Sequence, residues 1–224
     1  METLGESAVL ALALLRGGDP LLWSVVARSL AVSGLASLLA CAFGIAAGAW
    51  LAVARFPGRA AVVTLVHALL AVPSVVVGLL VCLLLSRSGP LGHLGWLYSF
   101  QAMVMAQALL VLPVVVGLTR QVVEDVERAH GEQLRALGAG VGRRALLLAW
   151  DERAALLTVA LLAFGRALAE VGAVMIVGGN IEGYTRVMTT AIALETSKGD
   201  WPMALALGTV LLVVVLTLHA ARRC

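Results

Sequence analysis

Long apolar runs are the feature that most constrains this chain, because about 20 apolar residues in a helix suffice to cross the ~30 Å hydrocarbon core of a bilayer. The runs from Leu22 to Val53 and from Trp201 to Ala221 reach that length. Hydrophobic residues make up 61% of the 224 residues and charged residues 13%, whereas soluble domains average about 45–50% and about 25%. We therefore predict an all-α integral membrane protein, a polytopic helical bundle.

We predict about five spanning helices in a single domain that covers residues 19–221. Pro73 is expected to break the second span, since a mid-membrane proline frees a carbonyl and kinks the helix. Gly44 and Gly48 form a GxxxG in the first span, a spacing that lets another helix approach closely. The predicted spans are 22–53, 60–85, 100–118, 154–177 and 201–221.

Two shorter segments flank or interrupt these spans. Residues 1–18 begin with Glu2 and Glu6 rather than with basic residues, and they have no small-residue cleavage site, so a secretory signal is not expected. Their apolar run is too short to span, and we predict an amphipathic helix along the membrane interface. Residues 178–200 are too polar for a plain span and too apolar for a plain loop, so we predict a re-entrant or scoop-like segment.

One long polar stretch, residues 127–151, interrupts the apolar sequence. It lies in a predicted loop, residues 119–153. This loop contains six arginines, from Arg120 to Arg153. Arginine concentrates in cytoplasmic loops, so we predict this loop and the C-terminus in the cytoplasm and the N-terminus outside, in a cytoplasmic (inner or plasma) membrane.

Several chemistries are not expected on this chain. It has no G-x-x-x-x-G-K-[ST] loop for phosphates and no H-E-x-x-H, and no Ser or Cys has an evident base partner. The basic residues are scattered singly, which is not the pattern of a nucleic-acid patch. The three cysteines have no metal-ligand spacing. We therefore expect a non-catalytic conduit without a cofactor or metal of its own.

The polar stretch contains a recognisable spacing. Glu132 and Gly138 stand six residues apart, and this segment resembles the EAA loop of ABC-importer permeases, with Gln133 and Leu134 in place of two alanines. A short helix over residues 130–137, ended by Gly138 in a left-handed cap, is expected to lie in a groove of a soluble partner. The alternative is a merely solvated linker helix. The predicted coupling residues are Glu132, Gln133, Leu134, Arg135, Ala136, Leu137, Gly138, Ala139 and Gly142.

The resemblance extends to most of the chain. Residues 57–90 and 164–200, the latter containing GRALAEVGA and GGNIEGYTRVMTTAI, are similar to tungstate-type permeases within the molybdate, sulfate and tungstate branch. That resemblance implies a type I ABC importer permease fold and a homodimer in membrane lipid. It also implies two cytoplasmic ATPase subunits that bind ATP and Mg, and an extracytoplasmic oxyanion-binding protein.

Polar residues inside the apolar segments are candidates for the translocation path or its gate. Arg166 and Glu170 are four residues apart, so on one helix they would share a face and could pair. Ionisable groups in a membrane span suggest a functional role. A structural ion pair is the equal alternative. Threonine hydroxyls could donate hydrogen bonds to an oxyanion, although ordinary packing is an equal alternative. The candidates are Pro73, Ser74, Arg166, Glu170, Thr185, Thr189 and Thr190.

Together these features predict the membrane subunit of an ATP-driven oxyanion importer that works by alternating access, with tungstate preferred. Molybdate or sulfate remains an alternative, because selectivity is expected to lie in the binding protein. An ion-gradient carrier would need acids on several spans and usually an inverted repeat. A membrane scaffold whose loop only binds a partner is the third alternative.

Overall fold

The computed structural model describes residues 4–221, and these form helices, turns and loops without a β-strand. The all-α prediction is confirmed. The helices are α1 Leu4–Gly17, α2 Pro20–Val53, α3 Arg59–Leu70, α4 Ser74–Leu85, α5 Phe100–Ala136, α6 Val141–Asp151, α7 Arg153–Leu168, α8 Gly172–Gly178, α9 Met188–Lys198 and α10 Trp201–Ala221, with a 3₁₀ turn at Gly92–Leu94.

Three described helices, α2, α5 and α10, are long and apolar enough to cross a bilayer on their own. Two further spans arise if each bent pair counts as one, namely α3 with α4 and α7 with α8. With those pairs the described chain reaches the predicted five spans.

Both bent pairs break where the sequence stops favouring a helix. Pro73 separates α3 from α4, and the predicted kink is a 100° bend. The 12 residues of α3 extend only about 18 Å at ~1.5 Å per residue, which is too short to cross the membrane alone. α7 ends at Leu168 and meets α8 at 58°. Glu170 therefore lies in the break, and the prediction that Arg166 and Glu170 share one helix face is wrong.

α5 is longer than the predicted third span, which was expected to end at Leu118. Its 37 residues correspond to about 55 Å at ~1.5 Å per residue, and its last turns are polar. Arg120 and Arg128 each pair with Glu124, four residues away. Such pairs stabilise a helix by about 0.2–0.5 kcal/mol each, which explains why it continues beyond the apolar run.

By packing, the chain divides into two compact units, and α2 and α5 contribute residues to both. The first unit contains the chain up to Leu35, Ser74–Gln107 and the residues from Leu168 onward. Within it, α4 packs against α8, and α10 packs against α1 and α9. A Cβ atom on Gly78 of α4 would lie 2.7 Å from the Cα of Ala173 in α8, so only glycine fits there.

The second unit contains Ala36–Pro73 and Ala108–Ala167. Here the predicted close approach at the GxxxG is confirmed. A Cβ on Gly48 would lie 2.6 Å from the carbonyl oxygen of Val116, and one on Gly44 would lie 2.8 Å from Cγ1 of Val115. One apolar cluster of this unit joins α2, α5 and α7; its buried members are Ala40, Val111, Val115, Val159, Ala163 and Ala167.

Candidate functional site

The candidate coupling loop consists of the polar end of α5, the turn 137–140 and α6, all within the second unit. α5 ends in a Schellman motif. The N–H of Gly138 donates to the carbonyl of Arg135 at 2.9 Å, and the N–H of Ala139 donates to that of Leu134 at 3.0 Å. Gly138 has φ 75°, so its predicted left-handed conformation is confirmed. The predicted separate helix over 130–137 is wrong, because these residues are the last turns of α5 and the turn that follows.

The loop is packed onto its own unit. α6 buries Arg144, Ala145 and Leu148. Ala145 and Leu148 belong to a second apolar cluster of this unit. Its buried members are Ala49, Ala52, Val53, Val123, Ala145 and Leu148. Leu134 of α5 packs against the same cluster. α6 is therefore packed against its unit, while the docking role of residues 130–137 stays a prediction beside the solvated-linker alternative.

Most predicted coupling residues nevertheless face outward. Leu137 is 82% exposed, while Leu134 and Ala139 are half-buried. An apolar side chain surrounded by charged and polar ones at the end of a helix is suited to contact with another protein. The other predicted residues of the set are exposed: Glu132, Gln133, Arg135, Ala136, Gly138 and Gly142.

Two carboxylates organise the charges beneath this surface. Glu124 pairs with Arg59 of α3 at 3.4 Å, as well as with Arg120 and Arg128 of its own helix. Arg59 also donates from Nε to the carbonyl of Leu51 at 3.0 Å. The start of α3 is thereby held to the ends of α2 and α5. A cleft of about 390 Å³ opens among these groups.

Glu127 is the second carboxylate. Its Oε1 lies 3.6 Å from Nη1 of Arg135 on α5 and 3.6 Å from Nη2 of Arg144 on α6. The predicted site omitted Glu124, Glu127 and Arg144. The sequence did carry a signal for Glu124, since opposite charges spaced four residues apart follow Leu118. No comparable spacing predicts that Arg144 meets Glu127.

The candidate pathway residues divide between the units. Pro73 and Arg166 belong to the second unit, and Arg166 is exposed on α7. The remaining five belong to the first unit: Ser74, Glu170, Thr185, Thr189 and Thr190. Ser74 begins α4, and its hydroxyl would lie 3.0 Å from a Cβ placed on Gly172. Their role in a path or gate stays a prediction.

Glu170 holds the break between α7 and α8 together. Its side chain is buried, and Oε1 accepts a hydrogen bond from the N–H of Ala173 at 3.1 Å. Its carbonyl accepts from the hydroxyl of Thr189 at 2.7 Å. The carboxylate therefore satisfies an otherwise orphan N–H in the first turn of α8, and the backbone connects this break to α9.

The threonine hydroxyls are buried and bonded to the chain itself. Thr185 donates to the carbonyl of Gly178 and accepts from the N–H of Ile181, and Thr190 donates to the carbonyl of Val187. Thr189 donates to Glu170. A hydroxyl has one proton to donate, and in this arrangement each of these protons is used within the chain, so donation to an anion stays a prediction.

Among residues 4–221 no three His, Cys, Asp or Glu side chains come together as a metal site. The chain does match a known family. Residues 44–223 match the profile of the binding-protein-dependent transport system inner membrane component. The chain belongs to this family. It is thus a multi-pass membrane component of a transport system, and the resemblance to importer permeases is confirmed.

Individual transport proteins are similar to this chain over most of their length. The tungstate uptake system permease protein TupB of Peptoclostridium acidaminophilum is 41% identical over 224 residues, which cover 98% of this chain and 96% of that protein. A probable anion ABC transporter permease protein of Haloferax volcanii is 40% identical, covering 88% and 87%. The molybdenum transport system permease protein ModB of Escherichia coli K12 is 34% identical, covering 80% and 82%.

Proposed function

We propose that this chain is the permease subunit of an ATP-driven ABC importer that moves tungstate inward across the cytoplasmic membrane. The observation that carries the proposal is the 41% identity with a tungstate uptake permease over nearly the whole of both chains. The family match supports the importer class, since it names transport that depends on a binding protein.

The ATP-binding machinery is proposed to lie on a separate cytoplasmic subunit that docks on the candidate coupling loop. Two observations support the docking assignment. The loop presents the exposed Leu137 beside Glu132 and Arg135, and α6 packs on the unit's core, so the loop is attached to the helices that it would move. The partner would supply ATP and Mg, and this chain would supply the docking surface.

The remaining partners follow from the importer class. An extracytoplasmic binding protein would deliver the oxyanion, and a second copy of this chain would complete the pathway. Exposed apolar side chains on α2, such as Leu38 and Phe43 at 67% each, are suited to lipid or to that second copy. The arginine distribution supports a cytoplasmic loop and C-terminus, with the N-terminus outside.

The proposed mechanism is alternating access. ATP closes the two ATPase subunits and moves the docked loops, and each loop is continuous with α5. Because α5 is one helix from Phe100 to Ala136, a displacement at its polar end is carried along its axis into the membrane-spanning part. Coupling of this kind needs an element with two arrangements that both sites bias.

Molybdate is the alternative cargo, and the identity with a molybdenum permease supports it at a lower level. Both oxyanions are tetrahedral dianions, so the permease alone gives little basis for separating them. An ion-gradient carrier has no support, since members of this family work with a binding protein.

Uptake into vesicles tests the proposal. The permease is reconstituted with its ATPase, the binding protein is added outside, and internal tungstate is measured by mass spectrometry. We expect uptake only when ATP, the ATPase and the binding protein are all present, and competition by molybdate to be weaker than by unlabelled tungstate. Uptake driven by a proton or sodium gradient without ATP would contradict the proposal.

A further inference from the structure

We propose that Glu127 is a positioning residue that locks the two arms of the coupling loop into one rigid body. This inference deepens the proposed function and rests on it, because the lock matters only if the loop transmits work. The two arms are the polar end of α5 and α6, and they are joined by the turn 137–140. A Cβ on Gly138 or Gly140 in that turn would meet nothing within 4 Å, so the turn makes no packing contact there that would hold the two arms together.

Glu127 contacts both arms through one oxygen. Arg135 lies eight residues further along α5, about 12 Å at ~1.5 Å per residue, so its side chain must lie back along the helix to reach Oε1 at 3.6 Å. Arg144 reaches the same oxygen from α6, also at 3.6 Å. One carboxylate thus fixes both the end of α5 and the start of α6.

The pair with Arg144 is shielded from water. The side chain of Glu127 is 11% exposed and that of Arg144 is 8% exposed. Salt and water weaken exposed ion pairs, whereas removing one partner of a buried pair leaves an uncompensated charge. By contrast, Asp125 and Arg128 on the same helix are 73% and 71% exposed, which makes that pair a suitable control.

Gly131 adds an independent observation. It lies one helical turn after Glu127, within α5, where glycine destabilises a helix relative to alanine. A Cβ at this position would lie 2.5 Å from Cδ and 2.6 Å from Oε1 of Glu127. Because Gly131 has no Cβ, the carboxylate of Glu127 can occupy this space. Glycine at position 131 lowers the helix propensity of α5 but allows Glu127 to keep its contacts with Arg135 and Arg144.

The apolar contacts of α6 alone would not fix its position along α5. Ala145 and Leu148 pack against Val123 and the end of α2, and such contacts are not directional. The lock adds the directional contact. A loop without this contact would still bind an ATPase, but α6 would move relative to α5 when the ATPase displaced it.

Two readouts on the reconstituted complex of permease, ATPase and binding protein test this proposal. Hydrogen exchange of peptides from residues 139–148 reports the rigidity of α6, and tungstate imported per ATP hydrolysed reports coupling. We expect Glu127→Gln to raise the exchange rate at least tenfold and to lower the transport ratio at least fivefold, with the ATPase still bound. Asp125→Asn should match the wild type in both.

Two further variants separate a lock from a general packing role. Gly131→Ala keeps every charge and improves helix propensity, yet it displaces the carboxylate, so we expect it to reproduce the loss seen with Glu127→Gln. Arg144→Gln added to Glu127→Gln removes both partners of the same ion pair, and we expect the exchange rate and the transport ratio to equal those of Glu127→Gln alone. Independent, additive losses in the double variant would overturn the proposal.

Unchanged exchange and an unchanged transport ratio in both Glu127→Gln and Gly131→Ala would also overturn it. Failure of the proposed function gives a different result. If the wild-type complex imports no tungstate, the transport proposal is wrong, while the exchange of residues 139–148 in these variants still decides whether Glu127 locks the loop.

Discussion

At the scale of single residues, two buried threonines, one before α9 and one within its first turn, bond to the backbone of their own segment. Thr185 is fully buried and connects the carbonyl of Gly178 to the N–H of Ile181, while Thr190 bonds to the backbone of Val187 at the start of α9. These bonds close the segment onto itself. Its polar sequence, which suggested contact with an anion, is explained by the turn that it builds.

Replacing Thr185 by Val removes the hydroxyl and keeps the shape. The buried carbonyl of Gly178 and the part-buried N–H of Ile181 then lose their partner, and an unsatisfied buried group costs about 1–3 kcal/mol. We expect the free energy of unfolding in detergent to fall by about that amount, and Thr185→Ser to restore most of it. Thr209→Val is the matched control, because Thr209 is bonded only to the carbonyl of Leu205 within α10. Equal stability of Thr185→Val and the wild type would contradict this account.

At the scale of helices, the contact between α2 and α5 depends on Gly48. Its missing Cβ leaves the carbonyl of Val116 and the side chain of Thr119 in close contact with α2, at 2.6 and 2.8 Å from where that atom would lie. Backbone atoms cannot move aside as a flexible side chain can. The two helices would therefore have to separate to accept any larger residue.

We expect Gly48→Ala to destabilise the protein by about 1–3 kcal/mol, the usual cost of overpacking. The melting temperature in detergent, followed by tryptophan fluorescence, measures this change. Gly208→Ala in α10 is the control, since a Cβ there meets nothing within 4 Å, and it should leave the melting temperature unchanged or slightly higher. A stable Gly48→Ala variant would show that α2 and α5 are not closely packed.

The sequence predicted the helices where one signal, a long apolar run, dominated. α2 and α10 follow apolar runs, and their predicted ends are close to the observed ones. The break at Pro73 was also predictable, because the ring prevents a continuous helix. The break before Gly172 was not, because Ala169, Glu170 and Val171 carry no strong helix-breaking signal and the bend depends on packing between α4 and α8.

The end of α5 was mispredicted for a different reason. Hydropathy stops at Leu118, and the polar residues beyond it were interpreted as a loop. The alternating charges at 120, 124 and 128 favour a helix. The prediction followed hydropathy alone and did not use this charge spacing. The position of Arg144 beside Glu127 was beyond any sequence pattern, because it results from how the turn 137–140 folds α6 back onto α5.

At the scale of the whole molecule, the two compact units carry different groups of candidate residues. The first unit holds most of the candidate pathway residues, and the second holds the coupling loop. Family and fold were accessible from sequence, since the long apolar runs predict spanning helices and the spacing from Glu132 to Gly138 resembles a family motif. Transport direction, cargo and partners belong to the assembled transporter and are proposals for this chain.

The central claim is that the loop from Glu132 to Gly142 transmits the work of ATP hydrolysis, and the number of tungstate ions imported per ATP tests it most directly. Glu132→Lys reverses an exposed charge, and Gly138→Asp places a side chain at φ 75°, which disfavours the observed turn. We expect both variants to insert normally and to hydrolyse ATP while the ratio falls at least tenfold, with Asp125→Asn unchanged. A wild-type ratio in Glu132→Lys and Gly138→Asp would contradict it.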